Sequence, residues 1–375
     1  MNKTLKFLTP LLTITLFLTH SIFSQTLLKP GFNSEEYNNL LRINAAAQLD
    51  SNFLIKNRIP FPIGSFHYRS KLTGLENRWE FWTDKRGVGI ICIRGTVPKM
   101  NSWIENFYAA MISANGEIEF NNKIFKYKLS EDSNAYIHAG WLLGLASMAD
   151  DIVSKIKLYH KKGINDFIIT GHSQGGALAI LLRAYLYYLD TPLDYNIHFK
   201  TYASATPKVG NLNFSYNFDY ITRGGWAFRV INPLDWVPQI PFSIQKIKDV
   251  SEPNPFIMLN NNIDLQNIPT MDRIYLKHVY KKLNRKTIKS QEYYTKILGT
   301  KVSDFVKKSI PDYKNVEFIN SLDYVDCGIP IILYPTNNYN KVYIKSREGT
   351  KDGVFLHHRI IAYLYLLKQN YPERD

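Results

Sequence analysis

The sequence predicts an α/β fold with helices on both faces of a mostly parallel central sheet. Three observations carry that expectation. Apolar runs at 88–96, 167–170 and 227–231 lack the polar alternation of a half-wetted strand and read as strands buried on both faces. Helix-patterned segments such as 139–159 alternate with them, as strand–helix–strand crossovers require. One run also stops at a glycine, turns through Gly171-His172-Ser173-Gln174-Gly175 and continues as Ala177-Leu178-Ala179-Ile180-Leu181-Leu182, a strong helix former.

In chain order, Lys3 and Lys6 precede an apolar stretch (7–18, broken by Pro10) and then Ser21-Ile22-Phe23-Ser24-Gln25. This pattern predicts a secretory leader over 1–24, export, and one domain over 25–375. The apolar part is short for a bilayer span, and an uncleaved anchor is the competing reading. Residues 34–53 carry helical apolar spacing; 78–83 alternate as a strand before the central strand at 88–96. A helix-like piece from 103 to 112 ends in Asn115-Gly116, and strands are expected at 197–203 and 227–231. Beyond Pro241, residues 273–308 look helical, a hairpin is expected across Asn337-Asn338 with arms at 331–334 and 341–344, and 355–368 form a last apolar helix beginning at His357-His358. There is no internal repeat.

The chain holds 46 Lys and Arg against 32 Asp and Glu, a net charge of +14; loss of Lys3 and Lys6 with the leader leaves +12. Twelve of the basic residues lie between 271 and 314, facing only Asp272, Glu292, Asp304 and Asp312. Nucleic acid is a poor partner, because no recognised binding module organises these charges. A solvated helical face and peripheral contact with anionic lipid headgroups both account for them. Two cysteines, Cys92 in a strand and Cys327 in a turn, make no disulfide framework, and the scattered histidines supply no metal cluster. No cofactor or metal is expected, and oligomeric state is left open.

The Gly-x-Ser-x-Gly turn between strand and helix has the setting of a nucleophile elbow, with Ser173 at its tip and the free N–H groups and dipole of the following helix facing it. A nucleophilic serine needs an acid, a base and oxyanion donors. Asp235 follows a strand in a proline-braced turn, Asn232-Pro233-Leu234-Asp235. A base that follows the acid in the chain excludes His198. His278 falls in a lysine-rich stretch, which leaves His357 and His358. The loop after Ile93-Arg94-Gly95 offers Thr96, by N–H and hydroxyl, beside the N–H of Gln174.

These residues resemble the class 3 lipase family of α/β-hydrolases. Four blocks match in order: Ile93-Arg94-Gly95-Thr96 with Trp103 downstream, His138-Ala139-Gly140-Trp141, the elbow from Thr170 to Ala179, and the stretch from Asn232 to Pro241. The resemblance implies an α/β-hydrolase fold and a serine ester hydrolase, foremost a triacylglycerol lipase. It implies Ser173 as nucleophile, Asp235 as acid, and Thr96 and Gln174 as oxyanion donors. It also implies His358 as base, since Tyr363 follows at a spacing the family uses, and an apolar lid over 103–114. A phospholipase or non-lipid esterase would use the same triad; a non-catalytic, lipid-binding hydrolase fold is the reading from another class. The 120-odd residues between Asp235 and His358 form a long insertion with no counterpart in compact members.

Overall fold

The computed structural model describes residues 26–48, 51–251, 254, 269–314, 316–343 and 351–372. The leader expected over 1–24 lies outside them. The helices are α1 (Ser34–Gln48), α2 (Ser51–Lys56), α3 (Met100–Phe107), α4 (Ala139–His160), α5 (Gln174–Tyr187), α6 (Leu212–Ile221), α7 (Thr270–Thr295), α8 (Val302–Ser309), α9 (Asn337–Tyr343) and α10 (Ile360–Asn370). The main sheet uses β1 (Ser65–Arg69), β2 (Trp79–Thr83) and β3 (Gly89–Ile93), and later β8 (Asp166–His172), β9 (His198–Ser204), β11 (Ala227–Ile231) and β13 (Ile329–Ile332). Between them come β4 (Met111–Ser113), β5 (Asn115–Phe120), β6 (Lys123–Lys128) and β7 (Tyr136–His138), and then β10 (Gly210–Asn211) and β12 (Tyr324–Val325).

The seven strands lie in the order β1-β2-β3-β8-β9-β11-β13, antiparallel across the first two pairs and parallel across the remaining four. Alternation along each strand assigns the two faces. Ile91 and Ile93 of β3 and Phe167 and Ile169 of β8 pack with α4 and α5. Their neighbours Ile90, Cys92 and Ile168 pack instead with Tyr37, Leu40 and Leu41 of α1 and with Tyr363 and Leu366 of α10. This is the doubly covered, mostly parallel sheet of an α/β-hydrolase. Cys92 and Cys327 are both buried and unpaired.

Three local expectations are corrected. Residues 337–343 form α9, and β13 pairs in parallel with β11, so no hairpin joins them. Tyr339 is wholly buried and stacks on Tyr343 four positions on, a pairing of ring faces that helical spacing provides and an alternating strand would not. The apolar run from 103 divides as well. Only Met100–Phe107 is helical, whereas Tyr108, Met111 and Ile112 are buried, the last two in β4 beside β7. Finally, His357 and His358 sit in a turn ahead of α10, whose N-cap is Arg359.

Candidate active site

Strand β8 ends at His172 and α5 begins at Gln174, so Ser173 alone makes the turn, at φ 61° and ψ −130°. Few non-glycine residues hold such a conformation, and it persists here because both neighbours are locked into regular structure. Each flanking glycine is required sterically. A Cβ on Gly171 would lie 2.1 Å from the Gly175 carbonyl carbon, and one on Gly175 would lie 2.2 Å from the Ile93 oxygen. The Ser173 N–H donates to Ser204 O at 2.9 Å, tying the elbow to β9.

Asp235 lies past the C-terminal end of β11, almost fully out of water. Its Oδ1 accepts the Val237 N–H at 3.0 Å. Its Oδ2 accepts the Tyr363 hydroxyl at 2.8 Å and His358 Nδ1 at 2.7 Å. Donation through Nδ1 leaves the lone pair of His358 on Nε2. The two adjacent histidines therefore separate cleanly: His357 turns the other way, its Nδ1 bonding the Tyr339 hydroxyl at 2.8 Å and its carbonyl accepting from Asn232. His278 is exposed on α7, and His198 faces Asp166 at the opposite end of the sheet.

His172, the neighbour of Ser173, was not singled out in the sequence, yet it links the elbow to the histidine turn. Its Nε2–H donates to the His358 carbonyl at 2.7 Å, and its Nδ1 accepts from Ser204 Oγ at 3.0 Å, which in turn meets the Tyr37 hydroxyl at 2.7 Å. Burial pushes its pKa down to about 3, so the ring is neutral and this tautomer is the one that satisfies both partners. The two imidazole centroids lie 4.9 Å apart, bringing His358 to the corner that Ser173 occupies.

Gln174 opens α5, so its N–H has no carbonyl of its own helix to meet. Thr96 stands beside it, but its hydroxyl is committed: it donates to Gln174 Oε1 at 3.0 Å and accepts from Asn106 Nδ2 at 2.9 Å. The Thr96 backbone N–H has no hydrogen-bond partner among the described residues. The Gln174 amide is anchored from behind by Glu105, which lies wholly out of water on α3 and accepts Gln174 Nε2 at 2.6 Å and Asn77 Nδ2 at 2.7 Å. Gly140 of the His-Ala-Gly-Trp block has its reason here, since a Cβ would stand 2.0 Å from the Glu105 carbonyl oxygen. His138 of the same block caps α4 by accepting the Trp141 N–H and bonds the Asn106 carbonyl, while Trp141 Nε1 donates to Asn106 Oδ1. The block thus holds Asn106, which holds Thr96.

An apolar rim surrounds this corner. Trp103 packs against Phe107 and Phe355, and Phe355 against Trp236, with ring centroids 5.4–6.1 Å apart. Met100, Phe107, Leu234 and Val354 are exposed around it. Among the described residues no cluster of His, Cys, Asp and Glu could hold a metal ion.

Fold and site together define an α/β-hydrolase with a serine elbow and a buried aspartate–histidine pair at the C-terminal edge of its parallel strands. Residues 90–245 match the family model described as Lipase (class 3). The chain is 30% identical over 139 residues to a secreted mono- and diacylglycerol lipase 1 of Fusarium solani, covering 35% of this chain and 39% of that one. It is 31% identical over 106 residues to the secreted mono- and diacylglycerol lipase LIP4 of Malassezia restricta, covering 28% and 33%. The match thus spans well under half the length of these relatives. Among solved structures, the Rhizomucor miehei lipase in its propeptide complex aligns at a TM-score of 0.41 and 17% identity, over 57% of this chain and 65% of that one.

Proposed function

We propose that the chain is an exported serine carboxylic-ester hydrolase, a lipase that cleaves acylglycerols through an acyl-enzyme. The observation that carries the reading is the Asp235–His358 hydrogen bond of 2.7 Å beside a serine held at positive φ. Ser173 Oγ gives its proton to His358 Nε2 and attacks the ester carbonyl. Asp235 keeps the imidazole in the required tautomer and stabilises its cation. The N–H groups of Gln174 and Thr96 meet the developing oxyanion, each donor lowering the barrier by on the order of 3 kcal/mol. The imidazolium returns its proton to the leaving alcohol, and water then hydrolyses the acyl-enzyme by the same route.

The substrate class is supported by the exposed apolar rim, which suits an oil–water interface better than a dissolved ester. Two relatives are named for mono- and diacylglycerol; triacylglycerol is the substrate the sequence blocks imply. Export is supported by the basic and apolar pattern of residues 1–24 and by the relatives' names. On α7, exposed Met271, Ile274, Tyr275 and Leu283 alternate with lysines and arginines, a pattern suited to anionic lipid headgroups.

The test is hydrolysis of p-nitrophenyl butyrate and palmitate, then of tri-, di- and monooleoylglycerol, by wild type and by Ser173→Ala, His358→Ala and His357→Ala. We expect the first two variants to lose at least a thousandfold in kcat and His357→Ala to stay within tenfold of wild type. A wild type that cleaves none of these esters, and whose Ser173 resists a fluorophosphonate, would leave only the fold.

A further inference from the structure

Behind the Gly95–Thr96 loop of the candidate catalytic corner, the α1 face of the sheet contains a cavity, about 590 Å³ in volume. Its walls are largely apolar, with Leu54, Phe61, Phe66 and Trp82 among them, and Phe61 and Phe66 are exposed at its rim. Against these walls stand three guanidinium groups, Arg69, Arg78 and Arg94, drawn together from the ends of β1, β2 and β3. The carboxylates nearby are already engaged. Glu80 takes Arg69 at 2.6 Å and Trp82 Nε1 at 2.8 Å, while Glu76 takes Lys99 and offers Arg94 only its backbone carbonyl. Among the described residues Arg78 and Arg94 have no carboxylate partner, and the Nε of each is buried without a hydrogen bond. Burial, and after it the like charge of Arg78, push the Arg94 pKa down against the opposing pull of Glu76 and Glu80. Two half-buried guanidinium groups without a hydrogen-bonded carboxylate, set in an aromatic-walled cavity, favour an anion that joins them.

We propose that this cavity is a binding site for an amphiphilic anion, its carboxylate or phosphate head held by Arg78 and Arg94 and its apolar chain lying against Phe61, Phe66 and Trp82. The head pairs with guanidinium N–H groups of the two arginines that line the cavity, since a guanidinium presents paired N–H donors to either oxyanion. The tail covers aromatic surface otherwise left in water. Gln48 also lines the cavity and bonds the Gly95 N–H and the Thr96 carbonyl, so an occupant would touch the residue that holds the Thr96 loop. The site does not depend on the chemistry assigned to Ser173.

The test uses the full chain carrying Ser173→Ala, titrated below their micelle concentrations with dodecanoate, dodecyl phosphate, dodecanol and inorganic phosphate. Binding is read by calorimetry and by tryptophan fluorescence with and without Trp82→Phe. We expect saturable binding of at least one dodecyl anion, with a fluorescence change that Trp82→Phe removes, and at least tenfold weaker binding of dodecanol and of inorganic phosphate. The better of the two anions identifies the head group. Arg78→Leu should weaken that binding at least tenfold and Arg78→Lys less. Phe66→Glu, which places a carboxylate at an exposed rim position and leaves the core intact, should also weaken it tenfold. Equal affinity for dodecanol, inorganic phosphate matching dodecyl phosphate, or a folded Phe66→Glu or Arg78→Leu variant that binds like its parent would each overturn the proposal.

Discussion

Glu105 is a carboxyl group with no access to water, facing two side-chain amide donors, and burial raises its pKa to about 8. In the unfolded chain it titrates near 4.5. Between those values the folded state binds the proton that the unfolded state has released, so this group lowers stability progressively as pH rises from 4.5 to about 8. Glu105→Gln removes that titration. Its urea midpoint should gain on wild type steadily from pH 5 to pH 8, and a constant difference across that range would show that Glu105 does not titrate there. Because Gln174 is anchored through this carboxyl, the same variant should lower kcat on a soluble ester more than it raises KM. Tyr363 offers a simpler case. Its hydroxyl donates to Asp235 and accepts the Asn232 N–H at 3.1 Å, so Tyr363→Phe leaves both buried partners short of a bond. Denaturant unfolding should reveal a loss of about 1–3 kcal/mol, with activity reduced about tenfold and fluorophosphonate labelling of Ser173 slowed in proportion.

At the scale of elements, the lid expected over 103–114 shrinks to α3. Residues 108–114 are built into β4 and the core, leaving Met100–Phe107 as the helix whose outer face, with Met100 and Phe107, meets solvent. Its inner face is fastened by Glu105 and by Ser102, whose hydroxyl accepts the Val97 N–H. A helix so tied can present an apolar edge to an interface without leaving its place. Met100→Ser with Phe107→Ser should therefore reduce hydrolysis of emulsified long-chain glycerides at least fivefold while p-nitrophenyl butyrate turnover stays within twofold. Equal loss on both substrates would remove the interfacial role. The expected hairpin at 331–344 failed for a related reason: Asn337-Asn338 is a turn signal only when both flanking strands have each other as partners, and the first is already taken by β11.

For the whole molecule, titrating groups of opposite sign set the pH range of stability. His138 and His172 are buried, with pKa values lowered to about 3 from 6.5, so the unfolded state binds two more protons below pH 6.5. Stability is lost through these groups as pH falls from 6.5 toward 3. Glu105 and Asp323, the latter raised to about 6, act in the opposite sense over the upper part of that range. For these four groups, stability is nearly level between about pH 4.5 and 6, falls below it, and falls again from pH 6.5 toward 8, where folded Glu105 still holds its proton. Thermal midpoints across pH 3.5–8.5 should trace that shape. His138→Asn, which keeps an N-capping oxygen for α4, should flatten the acid limb alone; an unchanged acid limb would place the sensitive groups elsewhere.

The sequence by itself determined the features encoded over a few neighbouring residues. Unbroken apolar runs placed the central strands, the apolar strand running into Gly-His-Ser-Gln-Gly and an Ala/Leu helix marked the elbow, and the order of Ser173, Asp235 and the terminal histidines narrowed the candidates. The residues alone left His357 and His358 equivalent. Tertiary structure separated them, because which imidazole meets Asp235 depends on a turn fixed by His172, 186 positions away, and by Asn232 and Tyr339. The same holds for the support of Thr96 by Asn106 and Gln174, for the buried Glu105, and for three arginines at or beside the ends of three strands around one cavity. Each arises from side chains that become neighbours only when the sheet closes its register, and no periodicity along the chain records that meeting.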